Sequence, residues 1–314
     1  MSYVVAIGGA NLDITAYSTE VALAGDSNPG IISTSFGGVA RNIAENLARL
    51  DIDSHLLSAI GEDTNGLALL QHTEQVGVKV AGVLQIPKAR TGLYVAVHDA
   101  QGDLGIAVND MAVLEYLTAD YLRVQHVLLE QAAVMVADTN PSQNCLNALF
   151  EQAASVPLFM DPVSVQKAPK IRNHLAKIHT LKPNRLEAEH LSGLSLADEV
   201  AAPAVATWFL QQGVANIVLS LGERGLYCAN QQEQGWVKPL AVKVCNTSGA
   251  GDALMSGLVY GYLSGYSLLE SARFAQACAA LTVGVAQANC ENLSVAAVRQ
   301  LMDAIEAHHS LGLL

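Results

Sequence analysis

Asn246-Thr-Ser-Gly-Ala-Gly-Asp252-Ala-Leu-Met-Ser-Gly257 is the stretch on which the reading turns. A strand-like run, Leu240–Val244, leads into it, and a helical pattern, Ala250–Leu263, follows. Small residues at a helix start leave backbone N–H groups exposed and pointing one way, which makes an anion hole. Asp252 falls within that first turn. A carboxylate beside an anion hole makes chemical sense if it takes a proton from a hydroxyl while the N–H groups hold a transferring phosphoryl group. The alternative is that Asp252 merely favours the helix dipole, as first-turn acids often do. GxxxxGK[ST] is absent, and no GxGxxG opens the first helix, so this is neither a Walker A loop nor a dinucleotide fingerprint.

Working outward, short apolar β-rich runs alternate with helical patterns. Strands are expected at Tyr3–Gly8, His55–Ile60, Ala133–Ala137, Pro157–Met160, Thr180–Leu181 and Asn216–Leu221. Helices are expected at Val39–Leu50, Thr64–Val76, Gln143–Ala153, Arg185–Leu191 and Asp198–Gln211, with Leu268–Ala286 and Ser294–Ala307 closing the chain. This rhythm predicts an α/β protein with a mostly parallel central sheet covered on both faces. Two stretches break it. Ile14–Phe36 and Arg90–Val108 read as short strands and turns, with Thr91, Leu93, Val95 and Val97 alternating against Gly92, Tyr94, Ala96 and His98. They suit either a small separate sheet or ordinary hairpin decoration. With no repeat, charge block or Pro/Ser-rich linker, the 314 residues read as a single domain.

Four further segments carry polar groups at strand ends or helix starts. Gly37-Gly38-Val-Ala-Arg-Asn42 precedes a helix, and its glycines allow close approach of backbone to a ligand. Asn11-Leu-Asp13 follows the first strand, where side chains face the ligand crevice of an open sheet and suit vicinal sugar hydroxyls. In Lys182-Pro-Asn184-Arg-Leu-Glu187, Asn184 and Glu187 share a helix face. That arrangement suits water-mediated Mg²⁺ near phosphates, and equally a capping box; the two roles are compatible. Ser220-Leu-Gly222-Glu-Arg-Gly225 is a glycine turn that either cradles nucleotide phosphates or starts a hairpin.

Composition bounds the partners. With 17 Lys+Arg against 29 Asp+Glu, the net charge is −12, which argues against a nucleic-acid polymer and against an electrostatic membrane anchor. The uncharged stretches are interrupted by polar residues and read as core, so no membrane span is expected. Five cysteines without CxxC pairing, and a start without a basic n-region, predict reduced thiols in a cytoplasmic protein without a signal peptide.

In this order and spacing, GGxxxN near residue 40, NxxE near 185 and GAGD near 250 resemble the PfkB/ribokinase family of carbohydrate and nucleoside kinases. The resemblance runs over essentially all of the chain. It implies a ribokinase-like α/β/α domain, in which the excursions at about 14–36 and 90–108 form a substrate lid. The implied activity is phosphotransfer from ATP, with Mg²⁺, to an alcohol group. The 5′-hydroxyl of pseudouridine is the expected acceptor, with another ribonucleoside, ribose or a keto-sugar, or a non-catalytic nucleoside-binding protein on the same scaffold, as the alternatives. Asp252 would be the base and Gly249, Ala250 and Gly251 the anion hole. Asn11, Asp13, Gly38 and Asn42 would hold the ribose, with Asn140 a further sugar contact and Asn109 a candidate for reading the base. Asn184 and Glu187 would organise Mg²⁺ through water, while Asn184, Ser220, Gly222, Gly225 and Gln276 would line the ATP site. Pairing of two copies through the lid is also implied. Asn246 stands where many members carry Asp beside a monovalent-cation site, and Ala288–Leu293 departs from the usual small residues, which leaves activation by K⁺ open.

Overall fold

The computed structural model describes residues 2–152 and 155–310. The first part of the chain forms β1 (Val4–Ile7), β2 (Asn11–Ser18), β3 (Gly30–Gly37), α1 (Val39–Arg49), β4 (Ser54–Gly61), α2 (Thr64–Gln75) and β5 (Val83–Ile86). There follow β6 (Gly92–His98), β7 (Leu104–Asp110), α3 (Ala119–Val124), α4 (His126–Glu130), β8 (Val134–Asp138), α5 (Gln143–Gln152), β9 (Leu158–Asp161) and β10 (Thr180–Leu181). The last part forms α6 (Arg185–Ser192), α7 (Ala202–Gln211), β11 (Asn216–Ser220), β12 (Leu226–Ala229) and β13 (Gln234–Val237). It ends with α8 (Ala250–Leu263), α9 (Leu268–Val283) and α10 (Val295–Ser310).

Nine strands make one sheet in the order β13-β12-β11-β10-β9-β8-β1-β4-β5, parallel from β11 to β5 and antiparallel at the β12–β13 edge. Val4, Val5, Ala6 and Ile7 are all fully buried, as a continuous apolar run must be when helices cover both faces of a parallel sheet. From β1 the chain builds outward through β4 to β5, then returns to lay β8 on the other flank of β1. This reversal opens a crevice at the carboxyl ends of β1 and β8, where open α/β sheets take their ligands. The two β-rich excursions form a second, four-stranded sheet, β3-β2-β6-β7, whose β2 leaves the end of β1 directly.

Helices α1 and α8 share an apolar cluster of Ile43, Leu47, Leu254, Met255 and Leu258. Helices α8 and α9 approach so closely that a Cβ on Gly257 would lie 2.4 Å from Ala275 Cα. That packing fixes the start of α8 against the start of α1.

Three expectations need correction. Leu240–Val244 is no strand: after Pro239 the chain leaves the sheet edge, its residues are largely exposed, and Cys245 N–H bonds Val283 O at the end of α9 instead. Helix α7 begins at Ala202 rather than Asp198, with Pro203 in its first turn, where a missing N–H costs nothing. Helix α9 stops at Val283, where Gly284 caps it, short of Ala286. Helix α5 runs to Gln152, and the expected last residue, Ala153, lies outside the described residues.

Candidate active site

Gly249 caps α8 in the left-handed region at φ 77°, a conformation suited to glycine, and a Cβ there would lie 1.8 Å from Ala288 O. Unlike α6 and α9, which both carry complete capping boxes, α8 starts with no side-chain cap. Its first N–H groups, at Gly249, Ala250 and Gly251, therefore have no side chain competing with an anion, and Ala250 N–H makes only a long 3.4 Å bond to Thr247 O. Asp252, next in the turn, is buried and its Oδ2 accepts from Asn42 Nδ2 at 2.7 Å. Burial, then the charge of Asp161, push the Asp252 carboxyl up to about 7, against the Asn42 hydrogen bond and the Lys182 ammonium. A carboxyl poised there is suited to taking a proton at neutral pH.

Consecutive strands deliver the charged floor. Asp138 ends β8 and Asp161 ends β9, paired in register, and Lys182 follows β10. Lys182 Nζ pairs with Asp161 Oδ2 at 2.9 Å, with both side chains buried. Burial alone would lower the ammonium, but Asp161, Glu187 and Asp252 hold it above its ordinary value. A Cβ on Gly251 would lie 3.3 Å from Lys182 Nζ, so the ammonium sits against the first turn of α8. Asp138 Oδ2 accepts from Gly9 N–H at 2.8 Å and Ala40 N–H at 3.1 Å, and its Oδ1 from Asn140 N–H at 2.8 Å. One buried carboxylate thus ties the end of β1, the start of α1 and the loop carrying Asn140.

The sugar-side candidates surround this floor. Asn11, on β2 rather than a loop, donates to Asp13 Oδ1 at 2.6 Å. Burial raises the Asp13 carboxyl to about 6, against the Asn11 bond and the charge of Arg41. Gly38 caps α1, and a Cβ there would strike Gly9 O at 2.4 Å. Asn140 Oδ1 accepts from Lys167 Nζ at 2.6 Å. Asn109 is exposed on β7, the outer strand of the small sheet.

Of the nucleotide-site candidates, Asn184 and Glu187 form the capping box of α6: Asn184 Nδ2 donates to Glu187 Oε1 at 2.8 Å and Asn184 N–H to Oε2 at 2.9 Å. Burial and Asp161 push Glu187 up to about 7. Ser220 bridges to Asn184 and donates to Pro183 O, which joins β11 to this segment. Gly222 is exposed and open on its Cβ side, whereas a Cβ on Gly225 would meet Val237 O at 2.3 Å. Gln276 is half-buried on α9. Among the described residues no three His, Cys, Asp or Glu side chains cluster to hold a metal ion directly. Three carboxyl groups around Lys182 nonetheless leave an excess of negative charge that fits a hydrated divalent cation carried in on phosphates.

Sequence reading gave no role to Asp138, Asp161, Lys182 or Arg41. The first three had a usable signal, a charged residue at the end of an apolar strand run. Arg41 had none, since a helical arginine reads as surface.

A doubly covered parallel sheet, a bare glycine-rich helix start and a carboxyl poised beside it define a phosphotransferase acting on a hydroxyl group. Residues 1–293 match the family model described as pfkB family carbohydrate kinase, and the chain belongs to that family. It is 44% identical to "Pseudouridine kinase" of Escherichia coli (strain K12) over 97% of both chains. It is 25% identical to "Pseudouridine kinase" of Arabidopsis thaliana over 90% of this chain and 89% of that one. Among solved structures it is similar to a carbohydrate kinase from Agrobacterium tumefaciens, with 27% identity, a TM-score of 0.82, and coverage of 96% of this chain and 97% of that one. No described helix is long and apolar enough to cross a membrane.

Proposed function

We propose that this protein is an ATP- and Mg²⁺-dependent kinase that phosphorylates the 5′-hydroxyl of pseudouridine, giving pseudouridine 5′-phosphate and ADP. The observation that carries the chemistry is Asp252: a buried carboxyl, pushed up to about 7, in the uncapped first turn of α8. Agreement over nearly the full length with the Escherichia coli relative supports the acceptor.

In this reading Asn42 occupies Asp252 Oδ2, and Oδ1 takes the proton of the acceptor hydroxyl. The N–H groups of Gly249, Ala250 and Gly251, with the Lys182 ammonium below them, hold the charge of the phosphoryl group in transfer. Asn11, Asp13, Gly38 and Asn42 orient the ribose, Asn140 adds a sugar contact and Asn109 reads the base. Asn184, Ser220, Gly222, Gly225 and Gln276 line the nucleotide site. Asn184 and Glu187 would hold Mg²⁺ through water, and the ion would supply charge neutralisation on the phosphates. The four-stranded sheet acts as a lid that excludes water once substrate is bound. Its exposed Ile31, Ile32, Ile106 and Val108 support pairing of two copies through that sheet, for which light scattering at graded concentrations is the check. Five cysteines without CxxC pairing support a cytoplasmic setting.

ADP release measured over a panel of nucleosides and sugars tests the assignment. Pseudouridine is expected to give the highest kcat/KM. A preference for another nucleoside, ribose or a keto-sugar would reassign the acceptor, and nucleoside binding without ADP formation would remove the kinase reading.

A further inference from the structure

Arg41 is about as buried as a side chain can be, 1% exposed, and lies on the first turns of α1 beside the base, ion-paired with Glu45, which also pairs with Arg49. Its Nε donates to Gly37 O at 3.1 Å, Nη1 to Glu45 Oε2 at 2.7 Å and Nη2 to Phe36 O at 2.9 Å. Nη2 also donates to Asn42 Oδ1. A guanidinium has donors only, so the atom of Asn42 that faces it must be the carboxamide oxygen. The amide nitrogen is then turned the other way, onto Asp252 Oδ2 at 2.7 Å. The backbone carbonyl of Asn42 is held separately, by Asn289 Nδ2 at 3.2 Å.

We infer that Arg41 is a positioning residue for phosphotransfer: by holding Asn42 Oδ1 it fixes the Asn42 carboxamide so that its nitrogen caps Asp252 Oδ2 and reserves Oδ1 for the acceptor proton. The inference rests on Asp252 acting as base and adds the residue that sets which oxygen is used. Without Arg41 the Asn42 amide can turn over and present its oxygen to the carboxylate, which repels it. Lysine is no substitute, because a single ammonium cannot reach two carbonyls, Glu45 and Asn42 at once. The other charged groups facing Asp252 are Asp161 and Asp138 from the strand ends and Lys182 after β10, and those facing Arg41 are Glu45 on α1 and Asp13 on β2.

The test is a double-mutant cycle of Arg41→Lys and Asn42→Ala, with kcat followed from pH 5.5 to 9. Arg41→Lys is expected to lower kcat on the order of 10- to 100-fold, the scale of a misaligned general base, with KM for ATP little changed. The acid limb of its profile moves to higher pH, because the hydrogen bond that favours the Asp252 carboxylate is lost. Asn42→Ala shows the same two changes, and the double variant matches Asn42→Ala alone. Independent, multiplying losses, or an unmoved acid limb, overturn the inference. A second measurement needs no Arg41 variant. In wild-type protein, the NMR signals of the Asn42 side-chain amide and the Arg41 guanidinium are expected to share one transition that vanishes in Asp252→Asn, while a step at Arg41 from Asp13, which also faces it, persists. Arg41 signals without an Asp252-dependent step overturn the coupling. Wild-type protein with no turnover on any acceptor, but with this titration intact, removes the kinase reading and leaves the Arg41–Asn42–Asp252 relay standing.

Discussion

Lys182 and Asp161, 2.9 Å apart and both buried, form an ion pair against the first turn of α8 at Gly251. Asp161 raises both Asp252 and Glu187, and Lys182 counters it at each. Removing the ammonium leaves three carboxyl groups facing one another. Lys182→Met is expected to cost about 3–5 kcal/mol of stability, as breaking a buried pair does, and to lower kcat at pH 7 by more than at pH 9. Urea unfolding and a two-pH assay check it, and a variant as stable and active as wild type would refute the arrangement.

The pH profile of kcat should rise through about 7, as Asp252 loses its proton and becomes competent as base. Asp252→Asn keeps the shape and removes the base, so turnover falls by about 10²–10⁴-fold while nucleoside binding persists. Calorimetric binding alongside a coupled assay separates the two, and turnover within a few-fold of wild type rules out Asp252 as base.

The same raised carboxyl makes a stability prediction with a definite sign. Folding lifts Asp252 from 3.8 to about 7, so between those values the native state holds a proton that the unfolded chain has lost. Its contribution is fully present below about 3.8 and is lost as pH rises through about 7. Asp252→Asn has no such loss. The Tm of the variant relative to wild type should therefore climb between pH 5 and pH 8, and a pH-independent difference would contradict the burial of this group.

Two glycines of one turn should behave differently. At Gly225 (φ 83°) a Cβ would strike Val237 O, whereas at Gly222 (φ 59°) the side is open. Gly225→Ala should lower Tm markedly. Gly222→Ala should cost only about 1–2 kcal/mol of backbone strain and act chiefly on KM for ATP. Reversed effects would remove Gly222 from the nucleotide site.

Asn246 Nδ2 donates to Ala286 O at 2.8 Å, and its Oδ1 accepts from Ser248 N–H at 2.9 Å. The amide thus donates to the Ala286 carbonyl, which a carboxylate at this position could not do. Equal initial rates in K⁺, Na⁺ and a large organic cation are expected, and a K⁺-specific rate would show the amide yields the site.

Much of this site is legible along the chain because its chemistry is local. A helix start without a capping side chain, a glycine pair before a helix, and Asn184 with Glu187 one turn apart are near neighbours in sequence, and their spacing obeys helix geometry. Alternating apolar runs determined the parallel sheet for the same reason: burial on both faces demands uninterrupted Val, Ile and Leu. Tertiary structure alone decided what lies between distant segments. Asn42 and Asp252, 210 residues apart, meet only because α1 packs on α8. Asp161, Lys182 and Asp138 gain their influence from standing side by side at the ends of the neighbouring strands β8, β9 and β10. Burial, the largest cause of the raised Asp252 carboxyl, belongs to the packed molecule, since no run of residues shields its own side chains from water.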